Sequence, residues 1–108
     1  QRHVAAFADN AVLQSFLTPF RIEGKEAIRA HFAELFQTYT RRRTFLRQPL
    51  TRVYNDDLVI QTPYFLVSFT DSQGQTAVSA IRTSTVWAKL GGRWQIVDSH
   101  VSRLPATP

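Results

Sequence analysis

The stretch Ile81–Pro105, reading IRTSTVWAKLGGRWQIVDSHVSRLP, constrains the fold of this chain more than any other. Two strand-like runs, Ile81–Leu90 and Arg93–Val101, flank Gly91-Gly92. That dipeptide supplies the positive φ angles that a tight two-residue hairpin turn demands. Each arm carries one Trp among alternating polar and apolar residues, Trp87 and Trp94. A domain that closes on such a hairpin has a curved sheet with two distinct faces. One face can wall a cavity and the other can meet a partner.

The rest of the chain sorts by period. Residues 3–9 read as the tail of a helix and Ala11–Leu17 as a short strand, broken by Thr18-Pro19-Phe20 and followed by a loop to Gly24. Lys25–Gln37 is the clearest helix, with Ile28, Phe32, Leu35 and Phe36 at helical spacing and Glu26 suited to the positive end of the dipole. Thr44–Tyr54 reads as a long strand ending at the Asn55-Asp56-Asp57 turn. Leu58–Thr70 is a second strand, and Pro63 within it predicts an edge position, a bulge or a bend. Asp71-Ser72-Gln73-Gly74 then turns into Thr76–Lys89, and the tail Pro105–Pro108 is expected to fray. Helix, short strand, helix and antiparallel meander make an α+β fold with helices against one sheet face. At 108 residues the chain is one domain, residues 1–108.

Composition excludes several classes of chemistry. There is no Cys, so disulfides, thiol nucleophiles and thiolate metal sites are ruled out. No apolar run is long enough to span a membrane. The expected compartment is the cytoplasm, with a removed leader left open because the chain opens on Gln1 rather than Met. The net charge is +5, and Arg41, Arg42, Arg43, Arg47 and Arg52 cluster mid-chain with Tyr39, Phe45 and Tyr54 between them. Such a stripe can track a phosphate backbone, but no nucleic-acid motif accompanies it. Charge protecting a solvated strand edge is the simpler role.

Three local motifs add a resemblance: Phe7-Ala8-Asp9-Asn10-Ala11-Val12, Gly24-Lys25-Glu26-Ala27-Ile28-Arg29 and Gly92-Arg93-Trp94-Gln95-Ile96-Val97. With the element order, they make the chain resemble the nuclear-transport-factor-2-like superfamily, which includes SnoaL-like cyclases and ketosteroid isomerases. Val86-Trp87 through Trp94 and Ser99-His100-Val101-Ser102 are most similar to the association-domain branch of calcium/calmodulin-dependent protein kinase II and its bacterial relatives. The resemblance implies a cone-shaped α+β barrel, a strongly curved antiparallel sheet wrapped on N-terminal helices. The family's first helix, which covers one side of the pocket, is largely missing before Phe7.

The resemblance also supplies the inward parity of the strands. Val97, Ser99 and Val101 are then expected to point into the cone, with Thr83, Thr85, Trp87, Phe65, Val67 and Phe69 from neighbouring strands. Ile28, His31, Phe32 and Leu35 complete the set from the helix. This is the character of a small-molecule site, though the same residues would also serve as plain core. Trp94, Ile96, Asp98 and His100 are left for the outer face, where they suit a homodimer interface. Arg82 shares that outer parity.

The chemistry stays open. His31 is the best candidate for proton transfer, with Thr83 or Ser99 as hydrogen-bond donor. The positions of the isomerase carboxylates match Ser15 and either Thr83 or Ser84, so that mechanism is not carried over. The pocket arginines of the kinase association domains match Phe65, Thr85 and Val101, so their anion site is absent too. Asp98 and His100 share a face, but a metal would need more ligands than they and His3 offer. No metal and no cofactor is expected. The reading is a stand-alone domain that binds a small hydrophobic molecule, with an isomerase, cyclase or dehydratase, or an oligomerisation module, as alternatives.

Overall fold

Gly91 and Gly92, at φ 57° and 78°, close the hairpin between two long strands, β7 (Thr76–Leu90) and β8 (Arg93–Arg103). The computed structural model describes residues 2–105 of the chain, so Ala106 to Pro108 of the expected frayed tail, and the side chain of His3, lie outside the described residues. The remaining elements are α1 (Arg2–Ala5), β1 (Phe7–Gln14), β2 (Ile22–Glu23), α2 (Lys25–Thr38), β3 (Tyr39–Arg47), β4 (Thr51–Asn55), β5 (Leu58–Gln61) and β6 (Tyr64–Asp71). One long helix therefore lies against a single eight-stranded sheet. The fold is α+β, and the sheet is open rather than closed.

β7 is the spine of that sheet. One of its edges pairs with β8 along most of its length. The other edge is shared: Thr76–Arg82 pairs with β6, and Thr85–Ala88 with β5. The Leu58–Thr70 strand is thus two strands bent at Pro63, which has no N–H to give the ladder. The Pro63 carbonyl instead accepts a hydrogen bond from Thr83 N–H at 3.1 Å. Its partner strand is also split, at Gln48 to Leu50, where Gln48 takes a positive φ of 46° ahead of Pro49. Two wings result, β3–β6 and β4–β5.

The N-terminal segment departs from the sequence reading. Only Arg2–Ala5 is helical, and β1 already begins at Phe7. Alanine favours helix intrinsically, but pairing to β8 decides the conformation here. β1 runs parallel to β8, so the sheet is mixed rather than a pure meander. Ile22–Glu23, expected as loop, pairs with β1.

The core lies where α2 crosses β1. Phe7, Ala8, Ala11, Leu13 and Ile28 are buried together, with Ile22, Phe32, Ile96, Val97 and Val101 packed around them. Gly24 sets the entry of α2: it has φ 93°, and its N–H bonds Ala11 O at 2.8 Å. No side chain among the described residues caps the helix there. The two ion pairs among the described residues, Arg21–Glu23 and Arg29–Glu26, are exposed and add little.

Candidate functional site

Strand alternation divides the sheet into an inner face turned to α2 and an outer face. In the β3–β6–β7 wing the registers Thr44↔Val67↔Ser79 and Leu46↔Phe65↔Ile81 run across one another. The inner set includes Phe65, Val67, Phe69, Ile81, Thr83 and Thr85. Opposite them, α2 presents His31, Phe32 and Leu35. The space between is a cavity of about 400 Å³, open to solvent on one side and mostly apolar in its walls.

Most of the expected site residues meet there. His31, Phe32, Leu35, Phe65, Val67, Phe69, Thr83, Thr85, Ser99 and Val101 all line the cavity. Three do not. Ile28 shares the helical stripe but is fully buried one turn earlier, in the core against β1. Val97 packs against that same core. Trp87 keeps the inner parity but lies beyond the cavity, in a shallow recess with Val59, Gln61 and Trp94. Its indole Nε1 donates to Gln61 Oε1 at 2.9 Å, satisfying the one polar atom of the ring.

The expected outer set needs a correction. Val86 pairs with Asp98 and Trp87 with Ile96, so β8 has one more residue than β7 at this point, and Val97 is a bulge. A single extra residue reverses the alternation beyond it. Ile96 consequently lines the cavity, and Trp94 sits beside Trp87 on the inner face. Asp98 and His100 remain exposed on the outer face, as does Arg82, whose Nε donates to Ser102 Oγ at 3.4 Å. The outer face carries a different apolar set: Phe45, Tyr64, Leu66 and Val78, each more than a third exposed. A second recess of about 460 Å³ lies on this face at the Pro63 bend, with Arg82, His100 and Ser102 among its walls.

Among the described residues His31 is the only imidazole at the cavity, half-buried, with its ring edge-on to Phe32 at 5.4 Å. Burial pulls its pKa below the ordinary histidine value, and the nearby Glu34 carboxylate only partly offsets this. The neutral ring is therefore favoured near pH 7. Among the described residues Ser99 is the one buried polar side chain, and its hydroxyl lies 3.3 Å from Thr85 Oγ1. Those two hydroxyls satisfy one another, which leaves Thr83 as the freer donor of the expected pair.

The sequence reading missed several lining residues, among them Phe7, Leu13, Phe16, Ile81 and Arg42. Arg42 was legible in principle. Extending the strand back from Thr44 puts Arg42 on the side of Thr44, opposite Phe69, and sends Arg41 and Arg43 outward. The basic stretch is thereby split between two faces. The Arg42 guanidinium lies 4.2 Å from the centre of the Phe36 ring, and the loss of water there lowers its pKa.

Among the described residues no group of three or more His, Asp and Glu is arranged to hold a metal ion, and no helix is long and apolar enough to cross a membrane. Comparison with known proteins then bears on the fold. A putative calcium/calmodulin-dependent protein kinase II association domain from Xanthomonas campestris superposes with a TM-score of 0.86 at 20% identity, covering 96% of this chain and 73% of that one. A nuclear-transport-factor-2-like protein from Salmonella enterica serovar Typhimurium gives 0.81 at 23% identity, with 94% and 75% covered. A putative scytalone dehydratase from Novosphingobium aromaticivorans gives 0.83 at 9% identity, with 94% and 68% covered. These likenesses show the nuclear-transport-factor-2-like fold. No curated protein matches the chain. The sequence pattern of the calcium/calmodulin-dependent protein kinase II association domain matches residues 2–105, nearly the whole chain, and the protein belongs to that family.

Proposed function

We propose that this domain binds a small apolar molecule in the cavity between α2 and the inner face of the sheet. The observation that carries the reading is the cavity itself: about 400 Å³, walled by Phe32, Leu35, Phe65, Val67 and Phe69, with only a few polar groups converging on it. That size and character fit a small-molecule site. Native mass spectrometry of protein purified without added ligand tests it, beside titration with a neutral apolar dye. A reproducible adduct, lost in Thr83→Trp while the circular dichroism spectrum is kept, is the expected result. A clean mass with no dye uptake sinks the reading.

A second reading is proton transfer on the bound molecule. It has His31 in its favour, an imidazole at the cavity wall held towards its neutral, basic form. Thr83 would then donate to a developing oxyanion. Its test is conversion of whatever compound class the adduct reveals. His31→Gln must abolish turnover without abolishing uptake, and turnover that survives the change refutes it.

The family's name is that of an association domain. We further propose that two copies meet through the outer face, with Phe45, Tyr64, Leu66 and Val78 at the centre and Asp98 and His100 towards β8. An exposed apolar group of this kind on a sheet is what a partner covers.

A further inference from the structure

Arg42 is a cation at an apolar cavity with no carboxylate to answer it. Among the described residues no Asp or Glu lines the cavity. Among the described residues the ion pairs are Arg21–Glu23 and Arg29–Glu26, and neither involves Arg42. The side chain is held rather than free, because its guanidinium rests on the Phe36 ring at 4.2 Å in the last turns of α2. Arg41 and Arg43, its neighbours in sequence, point to the outer face. Strand β3 therefore delivers one charge of its basic run to the cavity wall.

A second guanidinium reinforces the sign of the field. Arg103, paired with Ile81 on the inner side of β8, lies over the Phe16 ring at 4.9 Å, and Phe16 lines the cavity. β6 and β7 separate β3 from β8, so the two cations stand on different flanks. Arg103 likewise has no carboxylate partner among the described residues. The cavity is thus apolar within and positive at its border.

We infer that the cavity takes a small apolar carboxylic acid, its carboxylate paired with the Arg42 guanidinium and its hydrocarbon body against Phe65, Val67 and Phe69. This rests on the reading of the cavity as a ligand site. A planar guanidinium presents two parallel N–H groups that match a carboxylate. A dianionic phosphate would call for more donors than Thr44 and one guanidinium supply. The partial loss of water around Arg42 strengthens a pairing there relative to one in open solvent. A neutral ligand of the same shape would leave that charge unanswered.

The test uses octanoate, decanoate and dodecanoate beside the primary alcohols of equal chain length, titrated calorimetrically at pH 8. Wild-type protein is expected to bind the acids about 10–100-fold more tightly than the alcohols, the range for a hydrogen-bonded charged pair. Arg42→Gln should bring acid affinity down to that of the alcohol and leave the alcohol unchanged, while Arg43→Gln on the outer face changes neither. Alcohol binding doubles as a check that the cavity is intact. If Arg42→Gln loses both, Arg42→Lys is read in its place: an acid preference kept supports the assignment and one lost overturns it. Equal affinities in the wild type, or a preference that survives Arg42→Gln, overturns the role of Arg42 while the apolar site stands. Uptake of neither series removes the ligand site and this inference together.

Discussion

Replacing Ile28 by Ala should cost about 2.5–4 kcal/mol of folding stability. Ile28 has no solvent exposure and joins α2 to Phe7, Ala8, Ala11 and Leu13. The substitution removes three carbons, and about 0.8 kcal/mol per buried carbon gives about 2.4 kcal/mol for the transfer alone. Any void left behind adds about 24 cal/mol per Å³ that the surroundings fail to fill. Neighbours from two different elements, β1 and α2, cannot both close in on the gap without shifting the helix, so some void persists. A domain of 108 residues holds about 5–16 kcal/mol in all, which makes this a large fraction. Urea unfolding followed by circular dichroism measures it: the midpoint should fall with the slope unchanged. Ile28→Val, which removes one carbon, should cost about 0.5–1.5 kcal/mol. An alanine variant within about 1 kcal/mol of wild type would refute the argument, because it would mean that α2 is not anchored through Ile28.

Two further outcomes follow from the side chains around the cavity and on the outer face. The folded state lowers the His31 pKa, so the unfolded chain takes up the proton first as pH falls. The associated stability is full above the unfolded value of about 6.5 and is lost as the pH drops below it, reaching its limit beneath the folded pKa. His31→Gln should therefore show a shallower fall in urea midpoint between about pH 7 and 5 than wild type; parallel curves would contradict this. Leu66→Arg places a charge in the middle of the outer apolar group, where Leu66 is 37% exposed. It should turn a dimer into a monomer by light scattering after size exclusion with little loss of monomer stability, and a dimer that survives it would move the interface elsewhere.

How much of this was legible in the sequence depends on what kind of signal each feature leaves. Gly91-Gly92 and the spacing of Ile28, Phe32 and Leu35 are local signals, and both elements form where those residues place them. Pro63 announces a bend because it lacks a donor, and the strand breaks there. The bulge at Val97 has no such mark: Ile96-Val97-Asp98 reads as unbroken alternation, and only pairing with Val86 and Trp87 exposes the extra residue. Trp94 and Ile96 changed faces for that reason alone. Residues 3–9 looked helical because their alanines are good helix formers, while the strand conformation of Phe7-Ala8 comes from β8, far along the chain. Arg42 is marked by the alternation that puts it on the side of Thr44, but Arg41 and Arg43 on either side carry the same charge and mask that parity.

The bends at Gln48–Leu50 and Pro63 have a consequence for the recess on the outer face. The two wings diverge because the backbone is interrupted at those points, and the junction is tied by Thr83 N–H to Pro63 O and by Thr62 N–H to Leu50 O at 2.9 Å. The recess walled by Gln48, Leu50 and Pro63 at that junction therefore takes its outline from main-chain geometry. Exchanging wall side chains such as Tyr64 or His100 would alter its lining and leave that outline in place.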